Sequence, residues 1–373
     1  MSELSALYKK TGGFMKGVCH PDGDREALLE LGLRWVRMDI PYPFDSEGNQ
    51  TQSFINYKNA CAYYAEKGIY TVGITPYPAH FISAGIDVRT KEGLEAAADV
   101  CEKIAIALKD SVKCWQVTNE MHVAHFRAPL TSEQSWDYLI ACSKGLRRGD
   151  ENACIGHNSY CASWLERLLE IEKEIGGSDY IGLDCYAGTW GDGGVNTYNE
   201  EIDKLYDTLG IPVILMEFGY SSLGRTLSAE QAEKETDEFL RSNGFVSRED
   251  AMARADELMN FVPPVLARVA AGCSEADKPT YILNSMNHVL KHWRFDGGLE
   301  HSEAGQAEFY AQLLPKLLDN PHLGGAILYC WKDSPSCFTC GQTDCPCETA
   351  WGLSRVDGTR KPAYYAVKNA FAE

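Results

Sequence analysis

The sequence lacks several features that would assign it to a familiar class of protein. No run of about eighteen or more apolar residues occurs, so we expect no membrane-spanning helix. No basic cluster offsets the formal net charge of −18, and a chain this acidic should repel phosphate backbones and anionic lipid. Nucleic acids and membranes are therefore not expected as partners, and neutral or cationic substrates are favoured.

The N-terminus lacks the apolar core of a secretory signal. Residues 1–13 instead resemble the linker that recombination cloning leaves in front of a protein, and we interpret them as a tag or linker remnant. The lack of a signal favours a cytoplasmic protein, unless this leader has replaced a native signal peptide.

Motifs for nucleotide binding and for serine hydrolases are also absent. No G-x-G-x-x-G follows the first predicted strand, and no Walker-type lysine loop occurs. The stretch 219–224 has the wrong spacing for the G-x-S-x-G turn of a nucleophilic serine. We expect no cofactor for catalysis.

Eight short apolar segments alternate with amphipathic helical segments along the 373 residues. Most of the eight are continuous runs rich in Val, Ile and Leu, as expected of parallel strands buried on both faces. Eight strand–helix repeats favour a closed (β/α)8 barrel, the TIM barrel of the α/β class, over an open sheet. The predicted strands are 14–19, 34–40, 70–75, 113–118, 153–157, 180–186, 212–218 and 325–331.

One interval is too long for the regular repeat. Strand seven ends near Glu217, but the helix that leads into strand eight begins only near residue 302. The intervening ~80 residues exceed any ordinary loop, and their patterns predict helices over 228–241 and 248–271. We therefore predict a barrel of 14–220 and 302–373 with a helical insertion, 221–301, between strand 7 and helix 7. We place the insertion on the C-terminal face, where active sites of this fold lie.

Two glutamates stand at the ends of buried strands. Glu120 ends strand four and Glu217 ends strand seven. Burying a carboxylate directly after an apolar strand costs free energy, so such a residue is expected mainly where a functional site uses it. The carboxyl ends of barrel strands meet at one face, so both glutamates are candidates for chemistry.

The strand ends resemble those of the clan A glycoside hydrolases, the large retaining group that includes cellulases and β-mannanases. Strand four ends in Asn119-Glu120 and strand seven in Glu217. Arg37, Tyr186 and Trp331 are similar to that clan's arginine of strand two, tyrosine of strand six and tryptophan of strand eight. Residues 352–366 also resemble its closing hairpin and final helix.

The resemblance implies a role for each of these residues. Glu120 is the expected acid/base and Glu217 the nucleophile, about 5–5.5 Å apart, with the pKa of Glu120 raised by their mutual repulsion. Arg37 is expected to keep Glu217 ionised, and Tyr186 to orient it.

Three further residues are expected to bind substrate. Asn119 would bind the sugar 2-hydroxyl, a contact that strengthens in the transition state. Trp331 would face a sugar ring, with Trp115 and Trp190 as further candidates. His157, at the end of strand five, would reach the substrate, although a satisfied structural histidine is the alternative.

A second constellation follows strand four. Glu120, His122 and His125 offer three potential metal ligands within six residues. Their spacing is not that of H-E-x-x-H, and in a helix Glu120 and His122 would point apart. We keep a metal-dependent hydrolase as an alternative function.

The sequence has 14 cysteines, and four of them lie within eleven residues after strand eight: Cys337, Cys340, Cys345 and Cys347. A C-x2-C followed by C-x-C can wrap tetrahedral zinc, which accepts four thiolates. We predict a structural zinc here. Disulfides in an exported protein, or free thiols, are the alternatives.

These patterns predict an enzyme that hydrolyses β-linked glycosides of oligo- or polysaccharides with retention, so the expected partner is a carbohydrate substrate. The insertion favours a pocket and exo action, and an endo-acting β-mannanase or cellulase is the alternative. A carbohydrate-binding barrel without catalysis remains a third class. The presence of both glutamates, Asn119 and Trp331 argues against it.

Overall fold

Eight parallel strands close into a barrel in the computed structural model, which describes residues 3–158, 165–294 and 298–372. Their order around the barrel is β1-β10-β7-β6-β5-β4-β3-β2. The predicted (β/α)8 fold class is confirmed. The strands are β1 (Met15–Cys19), β2 (Trp35–Asp39), β3 (Tyr70–Ile74), β4 (Val112–Gln116), β5 (Cys154–Asn158), β6 (Tyr180–Cys185), β7 (Val213–Phe218) and β10 (Leu323–Leu328).

The first and last strands of the barrel pair with each other. Met15 of β1 lies opposite Gly325 of β10, and the pairing continues to Val18 and Leu328. The strands pack so closely that a Cβ at Gly17 would lie 2.6 Å from Cδ1 of Ile327. Glycine is therefore required where these two strands fill the barrel interior.

Helices separate the strands, as the sequence pattern predicts. A capping box of Thr131 and Gln134 begins α7 (Ser132–Gly149), the longest helix after β4. The helices up to β7 are α1 (Glu3–Thr11), α2 (Arg25–Glu30), α3 (Gln52–Ala65), α4 (Pro78–Ser83), α5 (Lys91–Leu108), α6 (Ala124–Arg127), α7 (Ser132–Gly149), α8 (Leu165–Ile175) and α9 (Thr197–Leu209).

A continuous apolar core lies between the barrel strands and helices α3, α5 and α7. It includes Phe54 from α3, Ile104 from α5, Leu139 from α7 and Trp115 from β4, all with 1% or less of their surface exposed. This core gives the strand ends a rigid base.

The N-terminal helix α1 packs against strands β4, β5 and β10. Leu7 is 2% exposed, and Lys10 forms an ion pair with Asp179 at 2.8 Å and donates to the carbonyl of Ala153 at 3.0 Å. Ala153 and Asp179 directly precede β5 and β6, so α1 covers the N-terminal end of the barrel. The interpretation of residues 1–13 as a linker remnant stays a prediction.

The chain divides into two compact units. The first, which we call the barrel unit, comprises Met1–Asp184, Asn199–Phe218 and Leu318–Leu328. The second unit comprises Cys185–Tyr198, Gly219–Leu317 and Tyr329–Glu373. It takes in more of the chain than the predicted insertion 221–301, whose status as an insertion stays a prediction.

The second unit has a helical core of its own, built from Leu240, Phe245, Leu258, Leu266 and Ile282. The helix predicted over 228–241 is present, whereas the one predicted over 248–271 is divided into three, with a 3₁₀ turn at Met259–Phe261 before Pro263.

No helix among the described residues is long and apolar enough to span a bilayer. The remaining elements are β8 (Arg225–Leu227), α10 (Ala229–Ser242), α11 (Arg248–Ala253), α12 (Ala255–Leu258), α13 (Pro264–Ala271), α14 (Lys278–Asn284), α15 (Met286–Leu290), β9 (His292–Arg294), α16 (Glu303–Leu318) and α17 (Pro362–Ala372).

Candidate active site

The guanidinium group of Arg37, on β2, lies at the centre of a polar network in the barrel unit. Its Nη1 donates to Oε1 of Glu217, on β7, at 2.6 Å, and the two side chains form a buried ion pair. Its Nη2 donates to Oδ1 of Asn119 at 2.6 Å, and its Nε donates to Oε1 of Gln116 at 2.8 Å. Three acceptors therefore fix the guanidinium plane and connect β2 with β4 and β7.

The charge of Arg37 is strongly stabilised although the side chain is only 2% exposed. Burial by itself lowers the pKa of Arg37. The nearby acidic groups, Glu217 first among them, together outweigh burial and raise this pKa well above its ordinary value. Arg37 therefore places a permanent positive charge beside Glu217.

The chain turns sharply after β4. Thr118 and Glu120 have left-handed backbone conformations, with φ of 61° and 41°, which residues with side chains adopt rarely and mostly at functional sites. The Thr118 N–H donates to Oγ1 of Thr75 at 2.8 Å, and the Glu120 N–H donates to Oδ1 of Asn158 at 3.0 Å. These bonds hold the turn that presents Asn119 and Glu120.

Asn158, the last residue of β5, connects the Arg37 network with the turn after β4. Its Nδ2 donates to Oδ1 of Asn119 at 2.7 Å and forms a short hydrogen bond to Oδ2 of Asp184 on β6. Its Oδ1 accepts the hydrogen bond from the Glu120 backbone. The path of hydrogen bonds between the two predicted catalytic residues runs through Asn158, Asn119 and Arg37.

Asp184 is a third acid in this network, and it is 2% exposed. Burial raises its pKa well above the usual range, and the carboxylates of Glu217 and Glu120 raise it further. In the part of the chain that the structure describes, its buried Oδ1 has no hydrogen-bond partner. Both glutamates therefore lie within electrostatic range of this one buried side chain.

Two stacked aromatic side chains, Tyr77 and Phe126, form an aromatic wall beside the Arg37 network. The hydroxyl of Tyr77 donates to Oδ1 of Asp39, the last residue of β2, at 2.8 Å. The ring of Tyr77 stacks on Phe126, with centroids 5.7 Å apart and 23° between the planes. Burial raises the pKa of Tyr77 well above its usual value, and Asp39 adds to this rise. Both rings are partly exposed, so this wall offers an apolar face next to polar groups.

His157 lies on the other side of β5 from Asn158. Its Nε2 is hydrogen-bonded to Oε1 of Glu172, on α8, at 2.8 Å, and the histidine is 1% exposed. Side chains alternate along a strand, so Asn158 turns into the barrel and His157 turns to the helices. The prediction that His157 binds substrate is corrected to its alternative, a satisfied structural histidine.

The sequence prediction assigned no role in the site to Gln116, Asn158 and Asp184. The alternation of side chains along a strand was the available signal. Residues two positions apart on a strand point to the same side of the sheet, so one inward residue predicts others two positions away. Asp39 carries the same signal, because it lies two residues after Arg37 on β2. Tyr77 carries none, since nothing in the sequence brings the loop after β3 to the end of β2.

Two predicted aromatic platforms are buried. Trp331 is 4% exposed and packs against Tyr364 of α17, with ring centroids 6.2 Å apart. Trp115 is fully buried. A tryptophan with almost no exposed surface presents little of its face to a sugar, and the sugar-binding role of these two side chains stays a prediction.

Other aromatic residues of the second unit are more accessible. Trp190 is 40% exposed and its ring lies edge-on to Trp293 at 5.2 Å. Tyr186 is partly exposed, and its centroid lies 5.1 Å from Trp351 and 6.0 Å from Tyr329. The role of Tyr186 beside Glu217 stays a prediction.

The predicted metal ligands are only partly brought together. Cys337, Cys340 and Cys345 lie with His288 in a buried group whose donor atoms are all within 4.8 Å of one another. Cys347 is not a member of this group. The four-thiolate ligand set predicted from the sequence is therefore replaced by three thiols and one imidazole.

The alternative metal site after β4 does not form. Among the described residues, the cluster of His288 with three cysteines is the single group with metal-binding spacing, and Glu120, His122 and His125 are not such a group. Burial lowers the pKa of His122 to about 4, with a further contribution from Arg127. His122 is thus a neutral, enclosed histidine.

Comparison with known proteins finds chains of similar fold among solved structures. No protein-family model matches the chain, and no curated protein sequence matches it. A GH53 catalytic domain from Ignisphaera aggregans is 16% identical with a TM-score of 0.59, over 100% of this chain and 94% of that domain. A family 39 glycoside hydrolase from Bacteroides cellulosilyticus is 12% identical with a TM-score of 0.57, over 97% of this chain. A β-glucuronidase from Ruminococcus gnavus is 14% identical with a TM-score of 0.55, over 96% of this chain.

This chain spans 64% of the family 39 protein and 50% of the β-glucuronidase. At these identities the comparisons establish the fold. The chain has the (β/α)8 barrel found in these glycoside hydrolases, which is the architecture that the strand-end residues led us to expect.

Proposed function

We propose that this protein is a retaining glycoside hydrolase that cleaves β-linked oligo- or polysaccharides, with Glu217 as nucleophile and Glu120 as acid/base. The observation that carries the proposal is the hydrogen-bonded network centred on Arg37. It holds Glu217 in an ion pair and connects it, through two asparagines, to the backbone of Glu120. A buried network of this extent around two strand-end carboxylates serves catalysis better than it serves packing, because burying charged groups is costly.

In the first step, the Glu217 carboxylate attacks the anomeric carbon of the sugar. The bond between that carbon and the leaving oxygen breaks, and Glu120 transfers its proton to this oxygen. The product is a covalent ester between the sugar and Glu217. The ion pair with Arg37 supports this step, because it holds the Glu217 carboxylate in one orientation.

In the second step, Glu120 acts as a base. It removes a proton from water, whose oxygen attacks the anomeric carbon and displaces Glu217. Two inversions give net retention. The backbone of Glu120 is fixed by Asn158, so the same carboxyl group can serve both steps from one position.

Asn119 is suited to the substrate 2-hydroxyl. Its Oδ1 accepts from Arg37, Asn158 and Gln116, the last at 3.1 Å. Three donors around one atom identify it as the amide oxygen. Within the described part of the chain no group accepts from Nδ2, and this N–H is the donor that we propose for the sugar 2-hydroxyl.

We propose a neutral sugar in the reactive position. Some structural neighbours are named for uronates, as β-glucuronidases or a β-galacturonidase. In this chain the guanidinium of Arg37 is already bound by Glu217, Asn119 and Gln116. The surrounding acids also disfavour a substrate carboxylate.

The test is a panel of aryl β-glycosides and β-linked polysaccharides, assayed with the wild type, Glu217→Ala and Glu120→Ala. We expect Glu217→Ala to lose turnover on every substrate. Glu120→Ala should retain activity on aryl glycosides with good leaving groups, which need little acid assistance, and lose more than about 100-fold on natural linkages. Equal losses for both variants on activated glycosides would contradict the two roles.

Two further measurements identify the mechanism and the mode of action. NMR of the first-formed anomer should show retention, and a 2-fluoro glycoside should trap a covalent adduct on Glu217 detectable by peptide mass spectrometry. Release of single sugars would indicate exo action, whereas a rapid fall in polymer viscosity would indicate an endo-acting enzyme. Binding of sugars without any hydrolysis would favour the alternative of a catalytically inactive barrel.

A further inference from the structure

The second unit contains a buried cluster of metal-binding side chains that the proposed hydrolysis does not use. Nδ1 of His288 lies 3.3 Å from Sγ of Cys345 and 3.4 Å from Sγ of Cys337. With Cys340, all four donor atoms lie within 4.8 Å of one another. His288 is on α15, and the three cysteines are on the loop that follows β10.

The two distances from His288 are close to those of a tetrahedral zinc site. With Zn–S bonds of about 2.3 Å and Zn–N bonds of about 2.0–2.1 Å, sulfur and nitrogen ligands lie about 3.5 Å apart and two sulfurs about 3.8 Å apart. The two measured contacts of His288 differ from this by about 0.2 Å or less. Cys337 and Cys340 also have the two-residue spacing of paired zinc ligands.

The backbone around the cluster is arranged as an outer shell. The N–H of Cys340 donates to Sγ of Cys337 at 3.3 Å, which stabilises negative charge on that sulfur. The N–H of Gly341 donates to the carbonyl of Cys337 at 2.8 Å and closes the turn between the two ligands. Gly341 has φ of 76°, a left-handed conformation that suits glycine.

We infer that His288, Cys337, Cys340 and Cys345 bind one structural zinc ion, and that Cys347 is not a ligand. Three thiolates and a neutral imidazole around a divalent cation leave a net charge of −1, and all four side chains are buried. The ion would give each of these four side chains a metal–ligand bond in place of the weak contacts that they make with one another. This inference does not depend on the proposed glycosidase activity.

The proposed ion has a clear structural role. It joins α15 to a loop about fifty residues further along the chain, at a place where Lys291 also pairs with Asp344. The ring of Trp190 packs against His288, with centroids 5.6 Å apart. Loss of the ion should therefore loosen both the loop and this exposed tryptophan.

The first experiment is elemental analysis of the protein purified without chelators. We expect about one zinc per chain. Replacement by Co²⁺ should give thiolate-to-metal charge-transfer bands and the intense visible bands of a tetrahedral site. Thiols counted after denaturation in chelator should account for all 14 cysteines. Protein without metal, with four fewer thiols because of two disulfides, would overturn the inference.

Variants then identify the fourth ligand. Cys345→Ser should lose the metal, and His288→Ala should weaken zinc binding by more than the ~10–100-fold that follows loss of an outer-shell partner. His288→Cys should retain metal and shift the cobalt spectrum to that of four thiolates, which also shows that the unit still folds.

The matched control is Cys347→Ser, which removes an equally buried thiol of the same loop. It should retain zinc with unchanged affinity and an unchanged cobalt spectrum. Loss of the metal from Cys347→Ser, with wild-type affinity in His288→Ala, would overturn the assignment in favour of four thiolates.

Discussion

A single arginine orders most of the proposed active site. Arg37 offers its three nitrogens to Gln116 on β4, to Asn119 shortly after it, to Glu217 on β7 and to Sγ of Cys19 on β1. A lysine would carry the same charge, but it has no planar arrangement of donors with which to bridge those acceptors. The geometry of the guanidinium group therefore matters here as well as its charge.

We predict that Arg37→Lys lowers kcat by about 100-fold or more, because Glu217 and Asn119 lose their fixed orientation. The measurement is kcat on an aryl glycoside, with circular dichroism to show that the barrel is intact. Arg148→Lys is a suitable control, since Arg148 forms exposed ion pairs with Asp99 and Glu102. A loss of less than about threefold in Arg37→Lys would show that charge alone suffices.

The buried Asp184 should make stability depend on pH. Its pKa is raised in the folded protein, so it stays protonated when an unfolded aspartate has already ionised. The stability that it contributes is complete below the unfolded pKa of about 3.9 and is lost as pH rises through the folded pKa. Over that window the wild type should lose about 1.4 kcal/mol per pH unit relative to Asp184→Asn.

Urea denaturation of both proteins at several pH values measures this difference. Asp110→Asn, at an exposed position, should give a curve parallel to the wild type. Parallel curves for Asp184→Asn as well would show that Asp184 ionises normally in the folded chain.

The sequence was sufficient to predict part of the network at the strand ends. Arg37, Asn119 and Glu217 all belong to the observed network, since each follows an apolar run whose direction in a barrel is known. His157 was misplaced because it and Asn158 are adjacent polar residues at one strand end, and only the register decides which turns inward. The role of Trp331 stays a prediction, because this residue follows β10, where the path of the chain is irregular.

At the scale of secondary structure, the eight barrel strands follow directly from their apolar runs, with ends that shift by a few residues. The helical segment predicted over 248–271 was too long. The break falls at Met259–Phe261, directly before Pro263, where the missing N–H and the restricted residue before each proline end a helix. The short strands β8 and β9 pair with each other and carry too little sequence pattern to be predicted.

Helix α1 provides a test of the interpretation of residues 1–13. Because Leu7 is buried against the barrel, Leu7→Ala should lower the free energy of unfolding by about 2–3 kcal/mol. Chemical denaturation measures this loss. Lys9→Ala, at an exposed position of the same helix, should have little effect. If residues 1–13 are an added linker with no part in stability, Leu7→Ala and removal of residues 1–13 will both leave stability unchanged.

At the scale of the whole molecule, the net charge of −18 should influence which polymers approach the enzyme. We predict that kcat/KM on a neutral polysaccharide changes less than about twofold between about 0.01 and 0.1 M salt, where the Debye length falls from about 30 to about 10 Å. A polyuronate should not inhibit at the lower salt concentration. Strong inhibition that salt relieves would reveal a local cationic surface that binds acidic sugars.

The pairing of β1 with β10 has a consequence for protein synthesis. Met15 must find Gly325, so nearly nine-tenths of the chain has to leave the ribosome before the barrel can close. Until then, β1 and β7 expose unpaired strand edges, which are sites for association with other chains. The nascent protein is thus vulnerable for most of its translation, and conditions that slow elongation should reduce its soluble yield more than that of a protein whose strands pair with close neighbours.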